Sequence, residues 1–131
     1  MEDSVFTKII RGEIPCHKVY EDDHVIAFLD VHPLAQGHTL VVPKQQIDHL
    51  WDLDDETYEY LWRVTKRLGA HIKDVLQPVR VGVVVEGFGV PHVHIHLVPI
   101  EHGDDLKKQQ DLSGGIDHEV LAATAKKIYI A

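Results

Sequence analysis

The stretch Pro91-His92-Val93-His94-Ile95-His96-Leu97-Val98-Pro99 decides the reading of this chain. Side chains on an extended backbone alternate between faces, so His92, His94 and His96 project together at intervals of about 7 Å, and Val93, Ile95 and Leu97 turn the other way. One face is apolar and the other is imidazole, which predicts a strand over residues 93–98 lying on a core. Three chemistries suit such a row. It can be a solvated polar face, although Asp, Lys or Thr would serve as well. A His-x-His pair can chelate a divalent ion. An imidazole flanked by two others can attack phosphorus while its neighbours hold its tautomer and share charge.

Working outward, residues 79–85 form another β-rich run, joined to the first by Glu86-Gly87-Phe88-Gly89-Val90-Pro91, whose composition is that of a loop. The two runs are expected to be neighbouring strands. Upstream of them Tyr58, Leu61, Thr65, Leu68, Ile72 and Val75 recur at steps of four and three, and Asp54, Asp55 and Glu56 load the first turn with negative charge. A long helix is predicted there, ending before Pro78. Residues 18–21 and 25–30 flank the acidic turn Asp22-Asp23 as a hairpin would, and a third strand, residues 38–42, follows Gly37 and stops at Pro43. Ser4 can cap a short first helix closed by Gly12, and Asp117 a closing helix on which Val120, Leu121, Thr124 and Ile128 share a face. Successive strands interrupted by one long helix predict an α+β fold with an antiparallel sheet.

The chain has 131 residues, enough for one domain with a sizeable core and too few for two of ordinary size. Apolar residues make up 44% and charged residues 26%, which excludes a disordered polyelectrolyte and a fibrous repeat. Thirteen Lys and Arg against 21 Asp and Glu give a formal charge of -8, a field that repels nucleic acid. Cys16 stands alone, ruling out an internal disulfide, and Met1-Glu2-Asp3 opens no basic and apolar leader, so a reducing cytoplasm is expected. No apolar run reaches the roughly 20 residues of a membrane span.

His92-Val93-His94-Ile95-His96-Leu97-Val98 resembles the His-φ-His-φ-His-φ-φ signature of the histidine-triad (HIT) nucleotide hydrolases and transferases. The resemblance extends to Lys8-Ile9-Ile10-Arg11-Gly12-Glu13-Ile14-Pro15, Val19-Tyr20-Glu21-Asp22, Ala27-Phe28-Leu29-Asp30 and Gly37-His38-Thr39-Leu40-Val41-Val42-Pro43-Lys44. These blocks run in the family's order over residues 4–99, leaving 100–131 as a variable tail with its closing helix. The likeness is greatest to the Hint-type branch. It implies a single domain over residues 1–131, with a five-stranded antiparallel sheet, one long helix and short terminal helices. It also implies a two-fold homodimer in which the long helix and a sheet edge meet the mate; Trp62, beside the apolar face of that helix, suits such an interface and intramolecular packing equally.

By the same resemblance His94 is the nucleophile, attacking the α-phosphorus of a purine nucleotide to give a nucleotidyl-histidine that water cleaves. His96 orients His94 and contacts the phosphate; His92 tunes the shared proton and helps the leaving group depart. Asp30 matches the ribose-binding carboxylate, and Val5, Phe6, Ile9, Phe28 and Val31 match positions enclosing the base, although from spacing alone these five read as ordinary core. Gly87 and Gly89 let the preceding loop bring backbone N–H groups near phosphate, or simply connect two strands. The chemistry calls for no metal and no cofactor, since an imidazole with an ordinary pKa near 6.5 has a substantial neutral, nucleophilic fraction at pH 7.

Three departures from the family pattern bear on specificity. Zinc-bearing relatives carry Cys-x-x-Cys in the first helix and a histidine after the Pro-Lys pair, where this chain has Ser4, Thr7 and Gln46, so no structural zinc is expected. The loop before the triad is shortened and lacks the Asn and the Gly-Gln or Ser with which many relatives bind phosphate or the departing group. The tail has no counterpart of the Trp-bearing Hint C-terminus. The expected activity is nucleoside phosphoramidate hydrolysis, with dinucleoside polyphosphate hydrolysis, a regulatory nucleotide-binding module and a His92-His94-His96 metal protein as alternatives.

Overall fold

The computed structural model describes residues 2–131. In chain order the elements are α1 (Val5–Ile10), β1 (Lys18–Glu21), β2 (Val25–Leu29), β3 (Thr39–Pro43), α2 (Asp55–Leu76), β4 (Arg80–Val84), β5 (Ile95–Ile100) and α3 (His118–Ile128), with short 3-10 turns at Leu50–Asp52 and Asp105–Lys107. The five strands form one antiparallel sheet in the order β1-β2-β3-β5-β4. The expected α+β architecture is therefore present. Its order places β5, the histidine strand, between β3 and β4, with His96 opposite Leu40 on one side and Val84 on the other.

Local chemistry explains the element ends. The side chains of Ser4, Asp54 and Asp117 each accept from a backbone N–H three residues on, capping α1, α2 and α3. Gln77, at φ 54°, turns α2 out of its helix through the left-handed region just before Pro78.

The sheet is covered on both faces, which is why its central strands read as unbroken apolar runs instead of alternating ones. Val25, Ala27, Leu29, Val41, Ile95 and Leu97 pack against Leu61, Val64, Leu68 and Ile72 of α2 and against Leu121, Ala125 and Ile128 of α3. On the opposite face Ile26, Phe28, Leu40 and Val42 pack against Phe6 of α1. His96 shares that second face, since its cross-strand partner is Leu40.

The histidine strand differs from its sequence reading at both ends. It begins at Ile95 and runs to Ile100, two residues later than expected. The cause is a set of competing partners: Val93 N donates to Ile47 O at 2.8 Å and His92 N to Val90 O at 2.8 Å, so these amides are spent outside the ladder. His92 and His94 therefore lie on the entry to β5, and only His96 is within it. Likewise Asp30 lies just past the end of β2, its N–H donating to His38 O at 3.0 Å.

Candidate active site

The entry to β5, the ends of β2 and β3, and α1 converge on the triad. Each ring has a hydrogen-bond partner that decides which nitrogen carries hydrogen. His94 Nδ1 lies 2.7 Å from His92 O, and a carbonyl only accepts, so Nδ1 holds the hydrogen. In the neutral ring the lone pair is then on Nε2. Phe6 braces this ring edge-on, with centroids 4.9 Å apart, and is itself edge-on to Phe28 at 5.4 Å.

His96 is set by a relay beginning in the main chain. Leu34 N donates to His38 Nδ1 at 3.1 Å, so in neutral His38 the hydrogen sits on Nε2. That nitrogen donates to His96 Nδ1 at 2.9 Å, leaving the His96 hydrogen on Nε2. His96 Nε2 is buried and has no partner among the described residues. A buried donor without a partner costs about 1–3 kcal/mol, which a ligand oxygen would recover. Burial, followed by the neighbouring His94 and His38, pushes His96 down to about 4, and burial also lowers His38, so both rings are neutral at pH 7.

His92 is fully buried. Its Nε2 donates to Pro43 O at 2.8 Å, and its Nδ1 accepts from the Ser4 hydroxyl at 2.7 Å. Both nitrogens are engaged, so the ring ties α1 to the end of β3. Taking part in departure of a leaving group would require it to give up one of these bonds.

Asp30 Oδ1 accepts from His32 N at 2.9 Å, and Oδ2 from Gln110 Nε2 at 2.8 Å, with His38 Nε2 3.8 Å from Oδ2. Phe6, Ile9 and Phe28 gather in one cluster. Val5 is instead 41% exposed, and Val31 packs against the α2-side core. The five residues expected around a base are thus not brought together in one wall. Gly87 has φ 76°, a conformation only glycine adopts at little cost, and lines a cavity beside His94; Gly89 has no such constraint.

Three site residues had no assigned role in the sequence. His38 was visible within the Gly37-His38-Thr39 block, yet nothing marked it as the relay. Glu86 lines two cavities, one with His94 and one with His96, and its carboxylate forms a trio with them in which ligating atoms are within 4.8 Å of one another. Gln110 comes from the polar tail, 80 residues from Asp30 in sequence.

Donor chemistry sets these groups against a cation. The trios Asp30-His38-His96 and Glu86-His94-His96 both need a lone pair from His96. Its Nδ1 accepts from His38 and its Nε2 carries hydrogen, so neither nitrogen has one to give. Ser4, Thr7 and Gln46 gather at His92: the Thr7 hydroxyl donates to Gln46 Oε1 at 2.5 Å, and Ser4 N to the same oxygen at 2.9 Å. Hydroxyls and an amide carbonyl do not supply the thiolate and imidazole ligands a structural zinc takes.

Comparison with known proteins bears on the family and the fold. The sequence model of the HIT domain matches residues 11–103. The adenosine 5'-monophosphoramidase hnt1 of Schizosaccharomyces pombe is 38% identical over 99 residues, covering 72% of each chain. The crystal structure of a Hit-like protein from Bartonella henselae superposes with a TM-score of 0.81 at 35% identity, covering 96% of this chain and 94% of that one. A zinc-bound histidine triad family protein from Mycobacterium smegmatis superposes at 0.74 with 28% identity, covering 95% of this chain and 94% of that one. The fold, the row of histidines and these matches lead to one statement of identity: the chain belongs to the HIT family.

Proposed function

We propose that the protein is a nucleotide hydrolase of the phosphoramidase type, transferring a purine nucleoside monophosphate to His94 and then to water. The observation that carries this reading is the pairing of His94, whose lone pair is left on Nε2 by the His92 carbonyl, with the unpartnered Nε2–H of His96. One is a nucleophile and the other a donor for a phosphate oxygen. In the first step a bond forms between His94 Nε2 and phosphorus, and the P–N bond of the substrate breaks, the amine leaving with the bonding pair and taking up a proton from solvent. In the second, water adds at phosphorus, the His94–P bond breaks with its electron pair returning to Nε2, and the water's proton is released to solvent. His96 donates to phosphate throughout, and desolvated, preorganised donors of this kind contribute strongly to stabilising developing charge. Asp30 receives the ribose, Phe6, Ile9 and Phe28 bound the base side, and Gly87 and Gly89 bring the loop up to the phosphate.

Glu86 favours an amine as the departing group over a polyphosphate, because a carboxylate beside His94 and His96 repels added negative charge. The relative named a monophosphoramidase supports the same choice. Rapid quench of the protein with labelled adenosine phosphoramidate is expected to trap a nucleotidyl adduct that is absent in His94→Ala. Tight nucleotide binding with no adduct at any time would refute the reading and leave a binding module.

The proposal includes a homodimer through the β4 edge. Val79 and Val83 are exposed there, 62% and 46%, beside a groove lined by Trp62, Gly69, Ala70 and Val81. Sedimentation at twice the monomer mass is expected; a single species of 14.9 kDa would overturn this part. No helix of the described residues is long and apolar enough to cross a membrane, and a cytoplasmic enzyme without nucleic-acid partners fits the charge of -8.

A further inference from the structure

The tail between β5 and α3 is held over the site as a strap. At its start Glu101 N and His102 N donate to the Asp105 carboxylate at 2.7 and 2.9 Å. Leu106 then lies on Gly82 of β4 so closely that a Cβ there would stand 2.7 Å from Leu106 Cδ1. Beyond it Asp111 closes a second turn, accepting from Ser113 N at 3.1 Å and from the Ser113 hydroxyl at 2.7 Å. Gln110 sits between these two anchors and reaches back to the end of β2.

The Gln110 amide has a single allowed orientation. Its nitrogen is 2.8 Å from Asp30 Oδ2 and 2.8 Å from His32 O, and both partners can only accept. Both amide hydrogens are therefore used, and Oε1, held by those two bonds, has no hydrogen-bond partner among the described residues. Asp30 still has capacity, since each carboxylate oxygen offers two lone-pair directions and each has taken one backbone or amide donor. Gln110, its amide held against a half-filled carboxylate, lines a cavity of about 430 Å³ that also contains His38 and His96.

We infer that Gln110 is a substrate-binding residue that, with Asp30, forms a two-acceptor clamp for the vicinal 2′- and 3′-hydroxyls of a ribonucleotide. One hydroxyl donates to Asp30 and the other to Gln110 Oε1. The strap thereby supplies in the same chain a specificity contact that the shortened loop before the triad does not. This inference rests on the reading that Asp30 faces the ribose. A site built to hydrogen-bond a hydroxyl rejects the analogue lacking it, because its own polar groups are then left unpaired.

The test compares kcat/KM for adenosine 5′-phosphoramidate with its 2′-deoxy and 3′-deoxy counterparts in the full chain and in Gln110→Ala, Gln110→Asn and Asp30→Ala, with calorimetric binding of AMP and 2′-deoxy-AMP as a second readout. The unmodified protein is expected to prefer the ribonucleotide over at least one deoxy analogue by roughly ten-fold, and Gln110→Ala to reduce that preference to about two-fold or less. Gln110→Asn, which keeps the amide on a shorter stem, is expected to fall between them. An unaltered preference in Gln110→Ala, with the preference lost in Asp30→Ala, would overturn the role of Gln110 and leave Asp30 as the ribose contact. Tighter binding of both nucleotides alike in Gln110→Ala would also overturn it, showing the amide to be a plug. No preference in the unmodified protein, together with normal turnover by Asp30→Ala, would bring down the underlying ribose reading as well.

Discussion

Two aspartates bracket strand β2 and are used in opposite ways. Asp22, before the strand, accepts from Tyr20 and Tyr60 hydroxyls and from His24 N and Val25 N at 2.7 and 2.8 Å. Its oxygens are filled. Burial raises its pKa, but those four donors prevail and hold it down to about 2. Asp30, after the strand, takes only His32 N and Gln110 Nε2, beside two neutral imidazoles. A saturated carboxylate fixes the hairpin turn, whereas a half-filled one has acceptors left for something that arrives. The number of unused lone pairs separates the two roles where residue type and strand position do not.

The most forceful way to break this comparison is to delete each carboxylate in turn. Asp30→Ala is expected to lower kcat/KM for a ribonucleotide phosphoramidate by about 100-fold with little change in Tm, since charge-assisted hydrogen bonds are worth about 1.5–3 kcal/mol. Asp22→Ala should do the reverse, costing about 2–3 kcal/mol of folding stability by leaving two tyrosine hydroxyls and two turn amides without their acceptor, with kcat/KM altered less than about two-fold. Steady-state kinetics and urea denaturation on both variants would measure this. Equal losses of activity in the two would erase the distinction.

A smaller effect sharpens it in pH. His96 is lowered to about 4, and His38 and His92 are lowered too, burial being the leading cause in each. The unfolded chain then binds more protons than the folded one below about pH 6.5, so the stability these rings hold as neutral groups is lost as pH falls from about 6.5 toward about 4. Asp22 is lowered to about 2, and its contribution, present above about pH 4, is lost between about 4 and about 2. Denaturation followed across pH 7.5 to 2 is expected to show two successive losses, of which Asp22→Asn removes only the more acidic.

The sequence made the fold legible wherever residue chemistry is local. Ser4, Asp54 and Asp117 marked helix starts, and Pro78 and Gly37 marked boundaries. The alternation through His92 to Leu97 assigned the apolar face correctly, with Val93, Ile95 and Leu97 in the core. It placed the start of β5 two residues early, because the partner of Val93 N is Ile47 O, a long-range choice that no local pattern carries. Of the candidate site, the row of histidines was visible in the sequence and its wiring was not. His38 has the same composition signal whether it is solvated or a relay; what makes it a relay is the amide of Leu34 four residues earlier, folded back by the turn. Gln110 was invisible within a polar tail because its meaning comes from contacts 78 and 80 residues away. Val5 and Val31 were grouped with Phe6 by the resemblance, but a short helix and a strand end present them to different surroundings.

The relay that starts at Leu34 has a consequence for how this protein can vary. Its direction is written by a main-chain hydrogen, which every encoded residue except proline possesses. Side chains at that position are therefore free to drift without reversing which imidazole gives and which receives. Proline alone would unlock His38, let either ring of the pair flip, and return to His96 the free electron pair that a metal would seize.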